Sequence, residues 1–324
     1  MRTNSILITF IFFLSLAITA FAGTNPAINN HVSMEGGFHG GLVIGVMGFS
    51  GTPSQLAVTD DNEIATSLFK KAKSSSDMTP VILPDLGYTF ASTGTDISLG
   101  GLEDGTFNIT ISQFIESIGI FSVAGTYADY EVWKDPYLVD VKRKKTDVKI
   151  PGIELSWAGI FDTGFIVSFS YQSVNVKDDK LAERFKSLKR DGDIFTTNLA
   201  MLIPISENST IQPFSSLSVS DMDGESNSSM AYGGGIEHKL QWENISFETT
   251  ANIIYSKVDK KHPVYNKTRN ETATSVSEMI SYDGLFGFDH FSAYLLVTYQ
   301  LTNSNIDFFD SSSFTSGIGV GYNF

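Results

Sequence analysis

Stretches of strict alternation between apolar and polar residues recur along this chain. In the segment FSAYLLVTYQL, Phe291, Leu295 and Tyr299 fall on one face, and Ser292 and Gln300 fall on the other. A period of two is typical of a β-strand with one apolar and one polar face. Because the same pattern returns in segment after segment, the sequence predicts an all-β protein.

Fourteen antiparallel strands are predicted from this alternation. Most are about ten residues long, which is the length of a strand that crosses a bilayer at a tilt. Their apolar faces are rich in aromatic residues and their opposite faces are rich in Ser, Thr, Asn and Gln, as expected for lipid outside and water inside. The pattern therefore predicts a transmembrane antiparallel β-barrel. The predicted strands are 37–50, 81–92, 95–101, 105–114, 118–130, 149–161, 165–176, 194–204, 210–220, 230–242, 244–256, 275–286, 291–302 and 313–324.

The connections between these strands support the count. Long and short connections alternate along the chain, which is typical of outer-membrane barrels with long outer loops and short periplasmic turns. The connection near 102–105 is an exception because it is short, and the region 81–114 could hold one strand instead of two, which would give 12 strands. The predicted long loops are 51–80, 131–148, 177–193, 221–229, 257–274 and 303–312.

The two ends of the chain indicate export. Residues 1–22 combine one Arg, an apolar run and an Ala-Phe-Ala site, which predicts a cleaved signal peptide. A membrane anchor is the alternative, but the apolar run is shorter than the ~20 residues that a spanning helix needs. We expect a short periplasmic segment at 23–36 and the barrel at 37–324. By resemblance to outer-membrane barrels as a class, Tyr322 and Phe324 are expected to form the signal for the barrel-assembly machinery.

Composition excludes several other kinds of protein. The chain has no cysteine, which excludes disulfides, thiolate metal sites and a cysteine nucleophile. Its net charge of −14 disfavours nucleic acid as a partner. None of the five histidines lies at zinc-ligand spacing from another. We therefore expect no metal, no cofactor and no catalytic residue, and we predict that the protein is not an enzyme.

His238 is the one residue that suggests catalysis. It falls on the apolar face of its strand, where a serine–histidine pair of a barrel lipase could lie. Its predicted position is near a periplasmic turn, whereas a lipase that acts on the outer leaflet needs it at the other rim. We therefore interpret His238 as part of an aromatic girdle at the membrane surface.

The polar faces of the strands predict the lining of a lumen. The acidic members of this face outnumber the basic one, so the lumen should carry a negative potential and weakly prefer cations. Glycines 233, 235, 317, 319 and 321 fall on the same face and should leave space inside. The lumen-lining candidates are Glu154, Glu237, Lys239, Glu248, Asn252, Asp283 and Gln300.

A basic run stands out in the outer loops of this acidic chain. Lys142, Arg143, Lys144 and Lys145 lie on one predicted loop and could bind lipopolysaccharide phosphates or an anionic solute. A plain solvated loop is the alternative interpretation.

Several short motifs resemble one known family. They are WKDPYL at 133–138, Lys142-Arg143, Thr146-Asp147, RDGD at 190–193, PVYNKTR at 263–269 and NSNIDFFD at 303–310. Together they resemble domain of unknown function family 2860, a group of Gram-negative outer-membrane proteins. The resemblance implies an outer-membrane location and a barrel fold, and it implies no particular activity.

Two functional hypotheses follow. The first is a passive channel for small solutes with a weak cation preference. The second is a non-conducting structural or surface-binding barrel plugged by loop 51–80, in which Leu68-Phe69 next to Lys70-Lys71 could form a short helix. Either protein would have outer-membrane lipid, lipopolysaccharide and the barrel-assembly machinery as partners.

Overall fold

The computed structural model describes residues 36–57, 60–101 and 107–324. In these ranges the chain forms one antiparallel sheet that closes on itself as a β-barrel. The predicted signal peptide at 1–22, most of the predicted periplasmic segment at 23–36 and the turn near 102–105 lie outside the described residues.

The barrel has fourteen strands, as the alternation predicted. Segments β8 and β9 form one of these strands, interrupted at Leu202, because both pair with β10. The region 81–114 contains two short strands besides the end of β2, so the 12-strand alternative is wrong. The segments are β1 Gly37–Gly51, β2 Ser75–Phe90, β3 Thr95–Gly101, β4 Phe107–Ile115, β5 Gly119–Trp133, β6 Lys145–Ala158, β7 Phe165–Val176, β8 Gly192–Met201, β9 Ile203–Ser206, β10 Ser209–Met222, β11 Ser229–Trp242, β12 Ile245–His262, β13 Lys267–Asp283, β14 Phe291–Ser304 and β15 Ser311–Asn323.

Little helix accompanies the sheet in the described ranges. One α-helix, α1, spans Lys180–Arg184 in the β7–β8 loop. Among the described residues, no helix is long and apolar enough to cross a membrane. The short 3₁₀ helices are Asp60–Asn62, Ile160–Asp162, Lys186–Leu188, Leu285–Gly287 and Asp307–Phe309. The helix predicted around Leu68-Phe69 does not form, and the chain there bends instead.

The barrel closes by pairing its first strand with its last. Gly45 lies opposite Gly319 in the β1–β15 ladder. A Cβ atom at Gly45 would lie 2.3 Å from the backbone oxygen of Ile318, so this close approach needs glycine. At the end of the ladder, Phe324 and Gly40 exchange backbone hydrogen bonds of 3.0 and 3.1 Å. The closure leaves no free edge between the first and last strands, as a lipid-embedded sheet requires.

The outward face of the barrel is an apolar belt between two aromatic rows. Its midsection carries exposed aliphatic side chains such as Ile318 and Ile253. Exposure of so many large apolar side chains fits lipid and not water. The row near the short turns contains Phe38, Phe90, Phe121, Phe165, Trp242, Tyr282, Phe291 and Tyr322, and the row near the long loops contains Phe107, Tyr127, Phe195, Tyr232, Tyr299 and Phe314.

One predicted outer loop is largely strand, and a second is strand near its end. Strands β12 and β13 extend to His262 and Lys267, so most of the predicted loop 257–274 belongs to them. Strand β2 begins at Ser75, six residues before the predicted start at 81. Above the membrane both faces of a strand meet polar surroundings, so apolar alternation stops before the strand does.

The outer rim of the wall is uneven. Strands β3 and β4 have seven and nine residues, whereas their neighbour β5 has 15. Above the short hairpin, the β1–β2 loop pairs with β5: the backbone N–H of Ala57 donates to Glu131 O at 3.2 Å, and Leu56 lies opposite Val132. The first loop therefore completes the wall where β4 has ended.

Candidate functional site: the lumen and its outer cap

The middle of the lumen is lined by small hydroxyl side chains. They come from the inward faces of most strands, because alternation gives every second residue to the interior. Hydroxyls on neighbouring strands bind one another, as in Ser112–Ser122 at 2.8 Å and Thr196–Ser218 at 3.0 Å. The interior of the barrel is therefore polar here, and these four side chains are buried, with 1–6% of their surface exposed.

Three of the predicted lumen residues form one charged group. Lys239 Nζ lies 3.2 Å from Glu237 Oε1 and 3.2 Å from Glu248 Oε2. Lys239 and Glu248 are direct partners in the β11–β12 ladder, and Glu237 is two residues away on the same face. The group carries one net negative charge.

The other predicted lumen residues are dispersed along the bore. Glu154 lies between Ala124 and Ser170 in the ladder, and among the described residues it forms no ion pair. Asn252 and Gln300 are buried on the inward face. Asp283 lies at the periplasmic end, where its Oδ1 accepts a hydrogen bond of 2.7 Å from Ser292.

Sequence reasoning missed an acidic group at the periplasmic end of the lumen. Asp96 Oδ2 lies 2.6 Å from His39 Nε2 and accepts a hydrogen bond of 2.8 Å from Thr89. Asp85 lies on the same inward face, two strand positions from Gly87, which the His39 ring covers. Ile97 and Ile82 face outward, so alternation along their strands would have placed Asp96 and Asp85 on the inward face.

Large side chains fill the space over the lumen glycines. A Cβ atom at Gly235 would lie 2.6 Å from the Phe214 ring, and one at Gly321 would lie 2.7 Å from the Tyr294 ring. The expectation that these glycines leave the bore empty is wrong at these positions. Their function is to accommodate bulky inward side chains of neighbouring strands.

The outer end of the bore is covered by a packed cluster of loop residues, which we call the cap. It combines the loops β5–β6, β7–β8, β12–β13 and β14–β15 with part of the first loop. These loops arise from opposite sides of the barrel, so their contact spans the opening. The buried members are Tyr137, Leu181, Leu188, Ile306, Phe308 and Phe309, against which Leu68, Phe185, Val264 and Tyr265 pack.

Buried polar contacts hold the cap together. Arg190 pairs with Asp179 at 2.6 Å, and its guanidinium donates to the backbone oxygens of Trp133 and Lys134. Tyr137 and His262 share a hydrogen bond of 2.9 Å. Burial, reinforced by the positive charge of Arg269, lowers the pKa of His262 to about 3. His262 is therefore neutral at physiological pH.

A second apolar cluster lies on the inner wall just below the cap. Leu56 of the first loop packs there among inward side chains of β5 to β8 and β10. The first loop thus reaches the interior of the barrel along one wall. The cluster consists of Leu56, Ala128, Tyr130, Val132, Val148, Ile150, Val174, Val176, Ile194 and Met222.

The basic run of the β5–β6 loop is directed toward the acidic first loop. Arg143 is buried, stacks 4.5 Å from the Trp133 ring centroid and donates to backbone oxygens that include Asn62 O and Pro136 O. Lys142 pairs with Glu63 at 2.7 Å, and Lys145 approaches Asp60 at 3.2 Å. Lys144 is exposed. In this structure, three of the four basic residues connect two loops.

His238 lies on the outward face near the periplasmic turn, as predicted. Its Nε2 lies 3.0 Å from the hydroxyl oxygen of Ser209 on β10. Within the described part of the chain, no group of three His, Asp or Glu side chains has the arrangement of a metal site.

The family model for DUF2860, described as a protein of unknown function, matches residues 37–323. The chain therefore belongs to this family. The match covers the whole barrel. A search of curated proteins finds no match.

Solved structures with a similar architecture have very different sequences. One is the TodX monoaromatic hydrocarbon channel, a deltaS2 mutant, with a TM-score of 0.48 and 10% identity over 93% of this chain and 94% of that chain. Another is the outer membrane channel DcaP of Acinetobacter baumannii, with a TM-score of 0.47 and 9% identity over 90% and 97% of the two chains. A third is in-vitro folded OmpT, an outer membrane protein of Vibrio cholerae, with a TM-score of 0.43 and 10% identity over 89% and 97%.

The closed barrel and its apolar belt make this an outer-membrane protein. A closed barrel with an apolar outer face is one of the two forms in which a chain can span a bilayer.

Proposed function

We propose that the protein is a channel for small solutes whose outer end is closed by the cap in this conformation. The observation that carries the proposal is the change of character along the bore. A polar, hydroxyl-lined lumen lies beneath a separate packed cap made of loops. Transmembrane barrels in general have a polar interior; a gated channel also needs a closing element at its mouth, which the cap supplies in this proposal.

We further propose a modest preference for cations. Glu154, the Lys239 group and Asp283 give the lumen net negative charge, to which Asp85 and Asp96 contribute at the periplasmic end. Apolar walls concentrate this field and raise the local cation concentration. The basic residues of the β5–β6 loop act only at the outer end, because screening limits their reach to about 8 Å at physiological salt.

The second candidate is a non-conducting barrel whose loops bind a partner. The two apolar clusters at the outer end favour it, because together they fill much of the entrance. The exposed Lys142 and Lys144 are its candidates for contact with lipopolysaccharide phosphates. Neither candidate includes a catalytic step, and both use the barrel-assembly machinery for insertion.

Planar-bilayer recordings of the refolded protein distinguish the two candidates. Replacing Phe308 and Phe309 by Ser removes two buried aromatic side chains from the cap. Conductance of this double variant should greatly exceed that of the wild type if the cap closes a channel. Phe286→Ser is the matched control, because Phe286 is an exposed side chain in a periplasmic turn.

Reversal potentials under a KCl gradient then test selectivity in the conducting variant. Replacing Glu154 and Glu248 by Gln should reduce its cation preference. An anion preference would contradict the proposed acidic lumen. Absence of conductance in both the wild type and the cap variant would favour the non-conducting barrel.

A further inference from the structure

A charged pair with incomplete hydrogen bonding lies beneath the cap. Arg269 and Glu271 alternate on β13 and both point inward, since Glu271 is the ladder partner of the inward-facing Ser256. The Arg269 guanidinium lies 4.3 Å from the Phe309 ring centroid and so contacts the underside of the cap. Glu271 is only 6% exposed. Both charges are therefore largely removed from bulk water.

The two charges form an ion pair without a direct hydrogen bond between them. Arg269 Nε lies 3.6 Å from Glu271 Oε2, which is beyond hydrogen-bonding distance. Among the described residues, Arg269 Nε and Glu271 Oε1 have no hydrogen-bond partner, and neither do the hydroxyls of Tyr265 and Thr302. Buried polar atoms normally have partners, and a group of them without partners calls for a ligand or ordered water.

These unpaired atoms come from adjacent elements. Ser304 is the ladder partner of Glu271 and Thr302 is the ladder partner of Ala273, which places the Thr302 and Glu271 side chains diagonally on the same face. Asp310 is held nearby, because its Oδ1 accepts the backbone N–H of Ser304 at 2.7 Å. The region around Arg269 and Glu271 therefore contains a guanidinium, two carboxylates and hydroxyl groups close together inside the barrel.

We propose that this pair binds a zwitterionic amino acid, with the ligand carboxylate at Arg269 and the ligand ammonium at Glu271. The proposal rests on the channel function, since it identifies the class of solute that the channel would carry. A guanidinium recognises a carboxylate through paired N–H donors, and a carboxylate recognises an ammonium group. An α-amino acid presents both groups on one carbon atom, at a separation that suits neighbouring opposite charges.

The charge balance of the pair favours a ligand that carries both charges. A ligand with a carboxylate alone would be repelled by Glu271, and a ligand with an ammonium alone would be repelled by Arg269. A zwitterion leaves neither charge uncompensated in a site with little water. The carboxylate of Asp310 adds to the attraction for the ammonium group.

The surrounding aromatic residues indicate the kind of amino acid. The Tyr265 ring packs in the cap against Phe309, at a centroid distance of 5.9 Å, and against Tyr137, at 6.2 Å. A ligand side chain that points outward from the charged pair meets these rings. We therefore expect an apolar or aromatic side chain on the amino acid.

Calorimetric titration of the refolded full-length protein with three related compounds tests the proposal. L-Phenylalanine carries both charges, 3-phenylpropionate carries only the carboxylate, and phenethylamine carries only the ammonium. L-Phenylalanine should bind, and each of the other two should bind weaker by roughly tenfold or more. Arg269→Gln and Glu271→Gln should each weaken L-phenylalanine binding by a similar factor.

Two controls keep the outcome clear. Lys177→Gln removes an exposed charge from an outer loop and should leave L-phenylalanine binding unchanged. Leu188→Ser loosens the cap without changing either member of the charged pair, so it reports binding when access is easier. Equal binding of 3-phenylpropionate, or no binding of L-phenylalanine to either the wild type or Leu188→Ser, would overturn the proposal. Binding of L-phenylalanine without conductance would reject the channel function but support the amino-acid site. Conductance without binding of L-phenylalanine would support the channel function but reject the site.

Discussion

The imidazole Nε2 of His262 lies 2.9 Å from the phenol oxygen of Tyr137, although 125 residues separate them along the chain. Tyr137 belongs to the β5–β6 loop and His262 ends β12, on the far side of the barrel. Their rings also pack against each other, with centroids 5.0 Å apart. This contact joins opposite parts of the rim and contributes to holding the cap closed, together with the contacts of Tyr137 to Tyr265 and Phe308.

The closed cap should lose stability in acid because of His262. The pKa of His262 is about 3 when the cap is closed and about 6.5 when the side chain is free in water. Between these values the open form binds a proton that the closed form excludes, so stability falls as the pH drops below 6.5. At pH 4.5 the closed cap should have lost about 2–3 kcal/mol. Hydrogen exchange of the cap loops, corrected for intrinsic rates, measures this loss.

His262→Gln provides the control for the pH experiment. Gln does not titrate, so cap protection in this variant should depend much less on pH between 7.5 and 4.5. Its protection at pH 7.5 should be lower than in the wild type, because the contact with Tyr137 is altered. The same pH dependence in both proteins would exclude His262 as the titrating group.

Loss of the Arg190 charge should open the cap. Arg190 and Asp179 have side chains that are 7% and 6% exposed, and their ion pair joins the β7–β8 loop to the backbone of Trp133 and Lys134. Arg190→Met leaves the Asp179 carboxylate buried without a counter-charge, which should cost the closed cap about 3–5 kcal/mol. Limited proteolysis of the outer loops measures the opening.

Lys180→Gln is the matched control for Arg190→Met. Lys180 pairs with Glu183 at 2.6 Å, but both side chains are at least half exposed. Removing an exposed pair should change proteolysis little. If both variants are cleaved at the same rate as the wild type, the buried pair does not hold the cap.

Arginine on the lipid face should be costly, and arginine at the next position should be tolerated better. Leu295 points outward and is 40% exposed, whereas Leu296 points inward toward Gly317. Leu295→Arg should destabilise the barrel by about 2–4 kcal/mol if it lies near the midplane, and Leu296→Arg should cost less. Equilibrium unfolding from lipid vesicles compares them. Equal losses would mean that the alternation does not separate lipid from lumen here.

Removal of Phe324 should impair insertion of the barrel. Phe324 ends the last strand, exchanges backbone hydrogen bonds with Gly40 of the first strand and stacks near Tyr322. The truncated protein should reach the periplasm and accumulate less in the outer membrane, which fractionation and heat-dependent gel mobility would reveal. Normal accumulation would refute the assigned role of Phe324, and Phe286→Ser serves as an aromatic control at the same side of the membrane.

The membrane-embedded part of the fold could be predicted from the sequence. Lipid imposes a period of two on each crossing strand, so residues such as Leu295 and Gln300 reveal their faces directly. The ends of the strands could not be predicted as well. Asp259, Lys260 and Lys261 continue β12 above the membrane, where no lipid selects apolar residues for one face of the strand. The predicted start of β2 at 81 was wrong for the same reason.

The cap could not be predicted from the sequence. Its contacts join residues such as Tyr137, Leu188 and Phe308 from loops that are distant along the chain, and irregular loops have no period to analyse. Arg143 illustrates the problem: the basic run suggested an exposed anion site, whereas the fold buries its guanidinium against Trp133. Arg269 and Glu271 were overlooked because they lie in a segment predicted to be a loop.

The long strands β12 and β13 extend the barrel wall above the membrane. They have 18 and 17 residues, whereas about ten residues suffice to cross the bilayer at a tilt. The surplus of seven to eight residues raises the rim by roughly 17 Å, at about 3.3 Å per residue along a strand tilted near 45°. The cap therefore lies above the apolar belt, outside the hydrocarbon region of the membrane. The stability of the cap should therefore respond to salt, pH and core packing as that of a water-soluble domain does. The stability of the apolar belt beneath it is governed by lipid instead.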